Sequence, residues 1–127
     1  MITYYCPSCW AEFGENVSVC PRCGYDIRSF SDLEYEQKLM RAAFHPIPEN
    51  RHMAVMALGM LRTPRALPVL GRILREEKDD IYLLFQVLKA AANIPDPRSM
   101  DLLEEGTRHS YRLVRERARQ LLGKGYK

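Results

Sequence analysis

All four cysteines of this 127-residue chain lie in one short run near its start, "CPSCWAEFGENVSVCPRCG". Cys6, Cys9, Cys20 and Cys23 follow the spacing C-x2-C-x10-C-x2-C. Two Cys-x-x-Cys pairs at this separation supply the ligand types of a tetrahedral metal site, and four thiolates complete the coordination shell of zinc. A complete shell leaves no open position for water or substrate. The expected chemistry is therefore structural: a zinc ion that closes a fold, and not a hydrolytic centre.

The first 30 residues need such a closure, because a chain shorter than about 40 residues rarely buries enough apolar surface to fold without a metal or disulfides. Zinc supplies on the order of 10 kcal/mol in small modules of this kind. Phe13, Val17 and Val19 alternate around "GEN", which suits a short hairpin carrying the two ligand pairs. Gly24 lets the backbone turn with positive φ and aim amides at the sulfurs. The competing chemistry is redox, in which one thiol of a pair sits at a helix N-terminus with a lowered pKa. Neither pair precedes an obvious helix. His45, His52 and His109 show no ligand spacing with one another or with the cysteines, and they are expected to be plain surface or loop histidines.

The segments "CPSCW" and "CPRCGYDI" resemble the zinc-ribbon family in ligand spacing and in both prolines, Pro7 and Pro21. The departure is Trp10, which stands where the family usually has glycine. The resemblance implies a structural zinc held by the four cysteines.

The composition, 46% apolar and 28% charged, is that of a globular protein, and the length allows one domain or a small domain with an appendage. The apolar stretch that includes Ala54 to Leu61 is far short of the roughly 20 residues a membrane span requires. The start "MITYYC" has no basic region followed by an apolar one, so the expected compartment is a reducing cytoplasm.

From Ser31 onward the turn chemistry reads as a chain of helices. "SDLE" predicts a capping-box start at Ser31 and a helix to about Phe44. "HPIPEN" breaks it. A second helix is predicted over about 50–62, with Ala54, Ala57, Leu58 and Leu61 on its apolar face. Thr63 caps and Pro64 opens a third helix to about Glu77. Asp79 or Asp80 caps a fourth through Ile94, with Ile81, Leu84, Phe85, Leu88 and Ala91 facing inward. Asp96 caps and Pro97 opens a fifth to about Thr107. A last helix carries Tyr111, Val114, Ala118, Leu121 and Leu122 on its apolar side, and its second partner is missing, so an apolar edge beyond Leu121 and Leu122 is expected to be partly open.

These helices repeat. "ALGMLRTPRALPVL" (57–70) lies on "AAANIPDPRSMDLL" (90–103) at an offset of 33, and "RHMAVMALG" (51–59) lies on "RERARQLLG" (115–123) at an offset of 64. A period of two short helices means stacked hairpins, each burying its face against its neighbours. The run "NRHMAVMALGMLRTPRALPVL" resembles HEAT-like repeats of the short form first described in phycobilisome lyases. The resemblance covers about residues 33–123. It implies a mainly α protein, a short α-solenoid of helical hairpins behind an N-terminal β-hairpin zinc ribbon, with residues 1–30 as the ribbon and 31–127 as the repeat domain. It also implies structural roles for Arg51 and Arg115 and partner binding along one face of the stack.

The net charge of +3 is uneven: residues 106–127 hold seven Lys or Arg, among them Lys124 and Lys127, against Glu116 alone. Arg108, Arg112, Arg115 and Arg119 fall in line at i, i+4, i+7 and i+11. Such a stripe suits phosphates or an acidic partner, or it is the solvated outer side of a terminal helix. Trp10, Tyr25 and Phe30 are expected to pack between the ribbon and the first helix, ahead of forming a base-stacking platform. No carboxylate pair, Ser-His-Asp set, glycine-rich phosphate loop or open metal site is apparent. The sequence thus points to a non-enzymatic adaptor that binds another protein and crosses no membrane. A nucleic-acid binder using the arginine stripe is one alternative. An accessory for cofactor attachment is another, with Arg65, Arg72 and Arg75 as candidates to hold an anionic prosthetic group.

Overall fold

A computed structural model describes residues 3–125; Lys127, one of the terminal cations, lies outside them. Two short strands, β1 (Tyr4–Tyr5) and β2 (Glu12–Phe13), pair antiparallel in the register Tyr4 with Phe13 and Tyr5 with Glu12. They wrap the first cysteine pair. A single bridge between Val19 and Asp26 wraps the second pair in the same way. The hairpin therefore turns at each cysteine pair and not at "GEN", where the alternation of Phe13, Val17 and Val19 places it; Val19 is half exposed.

A 3-10 turn over Ile27–Asp32, capped by Asp26, leads from the ribbon into the helices. The first of these, α1 (Tyr35–Ala42), starts three residues later than "SDLE" predicts. Its capping box is Glu34 with Gln37, each side chain bonded to the other's backbone amide. The hydroxyl of Ser31 instead donates to the Arg28 carbonyl within the 3-10 turn, so the same chemistry serves a different local bond.

Then come α2 (Pro48–Leu61), a 3-10 turn at Pro64–Ala66 running into α3 (Leu67–Glu76), α4 (Ile81–Asn93), α5 (Pro97–Gly106) and α6 (Arg112–Gly125). Asp80 and Asp96 cap α4 and α5 by accepting from the amides of Leu83 and Arg98. Thr63 precedes its helix as expected but makes no capping bond; its hydroxyl donates to Glu36 of α1.

The helices form two layers. α2, α4 and α6 stack in order, and α3 and α5 pack side by side behind α4. The core between them holds Val55, Leu58, Leu70, Leu84, Leu88, Leu103, Val114 and Ala118, with Leu121 and Leu122 half-buried against it. On α2 the buried residues are Ala54, Val55, Leu58 and Gly59, whereas Leu61, expected inside, is exposed. The helix is so uniformly apolar from Met53 onward that periodicity does not mark its inner side. Gly59 fixes the closest approach in the stack, because a Cβ there would stand 2.7 Å from the Cα of Ala90. Gly123, two repeats on, meets nothing within 4 Å, so no neighbour packs there among the described residues. No helix among the described residues is long and apolar enough to cross a membrane.

Candidate metal centre

Each cysteine pair forms a tight loop whose amides point at its first sulfur. The amides of Ser8 and Cys9 donate to Cys6 Sγ at 3.4 and 3.5 Å, and those of Arg22 and Cys23 donate to Cys20 Sγ, both at 3.4 Å. Each loop then closes through a backbone bond, Trp10 N to the Cys6 carbonyl at 2.8 Å and Gly24 N to the Cys20 carbonyl at 2.9 Å. The two loops are equivalent, down to a left-handed residue at the end of each: Trp10 at φ 64° and Gly24 at φ 81°. A left-handed non-glycine residue costs about 1–2 kcal/mol. Trp10 is held there all the same, its ring tilted against His45 with the centroids 4.7 Å apart.

The four Sγ atoms lie within 4.8 Å of one another. Cys6 and Cys23 approach to 3.7 Å, as do Cys9 and Cys20. Tetrahedral coordination with metal–sulfur bonds of about 2.3 Å places sulfurs about 3.8 Å apart, so the donor set has the size of one metal ion. Cys6 and Cys20 are buried and carry the amide donors, while Cys9 and Cys23 lie at the surface. Burial opposes ionisation at Cys20, but the amides of Cys23 and Arg22 and the neighbouring sulfurs outweigh it and hold this thiol at about 6. At Cys23 the amide of Tyr25 favours the thiolate, yet burial and the crowding sulfurs of Cys20, Cys6 and Cys9 push the thiol up to about 11. Sulfurs this close ionise together only around a cation. The cluster could hold a metal ion, and the amides supply the outer hydrogen bonds such a site needs.

The ribbon is bound to the helices through its aromatic residues. His45, in the turn after α1, meets both Trp10 and Tyr5, the latter at 5.0 Å. Arg41 of α1 lies over the Tyr25 ring at 5.1 Å and reaches the Pro7 carbonyl, and Lys38 lies over Phe30. Trp10, Tyr25 and Phe30 thus all face the first helix or the turn that follows it.

His45 has a counterpart. Its Nδ1 accepts from the amide of Ile47, two residues on, and Nδ1 of His109 accepts from the amide of Tyr111, both at 3.0 Å. Arg51 donates to the carbonyls of His45 and Pro46 at 2.9 and 3.1 Å; Arg115 donates to those of His109 and Ser110 at 2.9 and 3.0 Å. The same turn is built twice, 64 residues apart. Burial pulls the pKa of both histidines below the ordinary value, and at His109 a bond to the Leu74 backbone opposes the shift. The sequence signal was the offset itself, since it matches His45 to His109 as it matches Arg51 to Arg115. His52 pairs with Asp80 at 2.8 Å, tying α2 to the start of α4.

Of the C-terminal arginines, Arg115 is therefore turned inward as a turn brace. Arg112 pairs with Glu116 at 3.0 Å, and Arg108 and Arg119 are exposed. Arg65 of the 3-10 turn and both arginines of α3 are matched with carboxylates: Arg65 with Glu34 and Glu36, Arg72 with Glu76, and Arg75 with Glu105 through two bonds of 2.7 and 2.9 Å.

A family profile for HEAT repeats matches residues 24–84, from the end of the second cysteine loop to the first turn of α4. Within those residues the paired helices are similar to HEAT repeats, and they follow a small hairpin that clusters four cysteines. No curated protein and no solved structure matches the chain.

Proposed function

We propose that residues 1–30 hold a structural zinc ion at Cys6, Cys9, Cys20 and Cys23, and that the repeats of residues 31–127 bind another protein, so that the chain works as a non-catalytic adaptor in the cytoplasm. The observation that carries this reading is the cysteine cluster. Four sulfurs at tetrahedral spacing fill a metal's coordination shell and leave no vertex for a substrate. When bound, zinc supplies the free energy that closes the ribbon. The ribbon then caps the open end of the stack through Trp10, Tyr5 and His45, a role that terminal units of a solenoid must fill. Arg108 and Arg119 offer an acidic partner a secondary contact.

The test is metal analysis of the protein purified without added metal, together with capture of its partner from native lysate. One zinc per chain and a retained protein partner are expected. A redox-active iron would keep the structural site but change its metal. Metal-free protein with an intact ribbon would contradict the reading. So would a random DNA duplex that binds at low salt and is released at moderate salt, or a tetrapyrrole whose absorbance shifts on mixing, if no protein partner were retained.

A further inference from the structure

From Met53 onward α2 is apolar on every side, which is unusual for a helix with one side facing solvent. Residues 53–61 read "MAVMALGML". The inner side buries Ala54, Val55, Leu58 and Gly59, while Met53, Met56 and Met60 are 63%, 46% and 72% exposed. These methionines fall at i, i+3 and i+7, one row about 10 Å long on a helix. At the matching positions one repeat on, α4 has Gln86, Lys89 and Asn93; two repeats on, α6 has Arg117 and Gln120. The later helices are polar where α2 is not.

The row borders a groove. Around the close contact of Gly59 with Ala90 lie two adjoining depressions of about 140 and 320 Å³ that share Gly59, Met60 and Asn93. Met56 and Lys89 line the first, Arg62 lines the second, and no carboxylate lines either. Arg62 ends α2 in the left-handed conformation at φ 56°, with Nε on the Asn93 carbonyl at 3.2 Å. An arginine kept where glycine would be unstrained, at the rim of a groove, is the kind of local cost that marks a binding surface. Arg117 stands over the Phe85 ring at 4.8 Å on the α4–α6 side of the same layer.

We propose that this groove receives an amphipathic helix of a partner protein, with an apolar row against Met53, Met56 and Met60 and carboxylates that meet Arg62 and Lys89. Methionine suits such a surface because its flexible thioether adapts to the incoming side chains, and a helix laid in a groove between helices is an established recognition geometry. A second copy of this chain does not fit, since a symmetric pairing would set Arg62 and Lys89 against the same cations. The inference rests on the adaptor reading and names the face and the partner's chemistry.

A randomised 16-residue peptide library, selected against the full chain with its native metal, tests it. Enriched peptides are expected to be helix-forming, with apolar residues at i, i+3 and i+7 and an excess of Asp and Glu. Their synthetic forms should bind at least tenfold more weakly to the Met53→Gln, Met56→Gln, Met60→Gln triple variant, and more weakly again at raised salt. Thermal unfolding of that variant should match the wild type, because the three side chains lie outside the core. Basic or uncharged winners would overturn the proposal, as would winners whose binding survives the triple substitution, or a wild-type dimer in sedimentation that the substitution abolishes. A native partner that binds the triple variant normally would sink this face and leave the adaptor reading standing; a chain that selects no peptide and retains no protein would sink both.

Discussion

The two cysteine loops of the ribbon are the same structure made from different residues. Both bury their first sulfur under two amides, both close with a backbone bond to the first carbonyl, and both end left-handed. One ends in Gly24 at the surface, the other in Trp10 against His45. The shared geometry is therefore the one in which two amides reach the first sulfur, and the residue at the fifth position is set by what lies outside. Where nothing lies outside, glycine removes the strain. Where the helical stack begins, a large ring accepts about 1–2 kcal/mol of backbone strain and gains an aromatic contact of about 0.5–1.5 kcal/mol beyond its buried area.

Breaking the shared part has the largest expected effect. Cys20→Ser removes a buried thiolate with two amide donors, and zinc affinity should fall by orders of magnitude, read by competition with a chromogenic chelator. The ribbon should lose hydrogen-exchange protection while α3 to α6 keep theirs.

Exchanging the unshared residue comes next. Gly24→Trp brings the left-handed cost of about 1–2 kcal/mol to a loop with no ring to receive it, and the midpoint of denaturant unfolding should fall accordingly. Trp10→Gly relieves the same strain and loses the contact with His45, so its net effect on stability should be within about 1 kcal/mol. Metal stoichiometry should stay at one, and exchange should speed up in the turn after α1. Loss of metal in Trp10→Gly would mean that the ring shapes the first loop.

The clustering of the four cysteines was legible because metal coordination would fix residue type and spacing together, and so were the Asp96–Pro97 start and the Asp80 cap, whose signals are local. Other features depended on tertiary context. Ser31 with Glu34 and Glu34 with Gln37 are both plausible capping pairs, and the 3-10 turn leading out of the ribbon selects the second. The inner side of α2 was hidden by its own uniform apolarity, and Gly59 goes inside because only a residue without a Cβ fits beside Ala90. Arg115 reads as part of a basic stripe by spacing alone, and the carbonyls of His109 and Ser110 that engage it come from a turn whose shape no periodicity reports.

The twin turns at His45 and His109 extend the comparison to the stack and give the smallest effect. Both folded pKa values lie below the ordinary 6.5, chiefly through burial. Stability from these groups is therefore complete above about pH 6.5 and is lost as pH falls through the lowered folded values. The double variant His45→Asn, His109→Asn keeps a short acceptor for the same amides without titrating. Its urea midpoint should fall less than that of the wild type between pH 7.5 and 5.5. Equal slopes would show that the rings are not held neutral.

X-ray absorption at the zinc edge of the purified chain reads out whether four thiolates enclose the ion. Four sulfur neighbours at about 2.3 Å are expected. Nitrogen or oxygen in the first shell, or a chain that carries no metal and keeps the same folded ribbon, would contradict it.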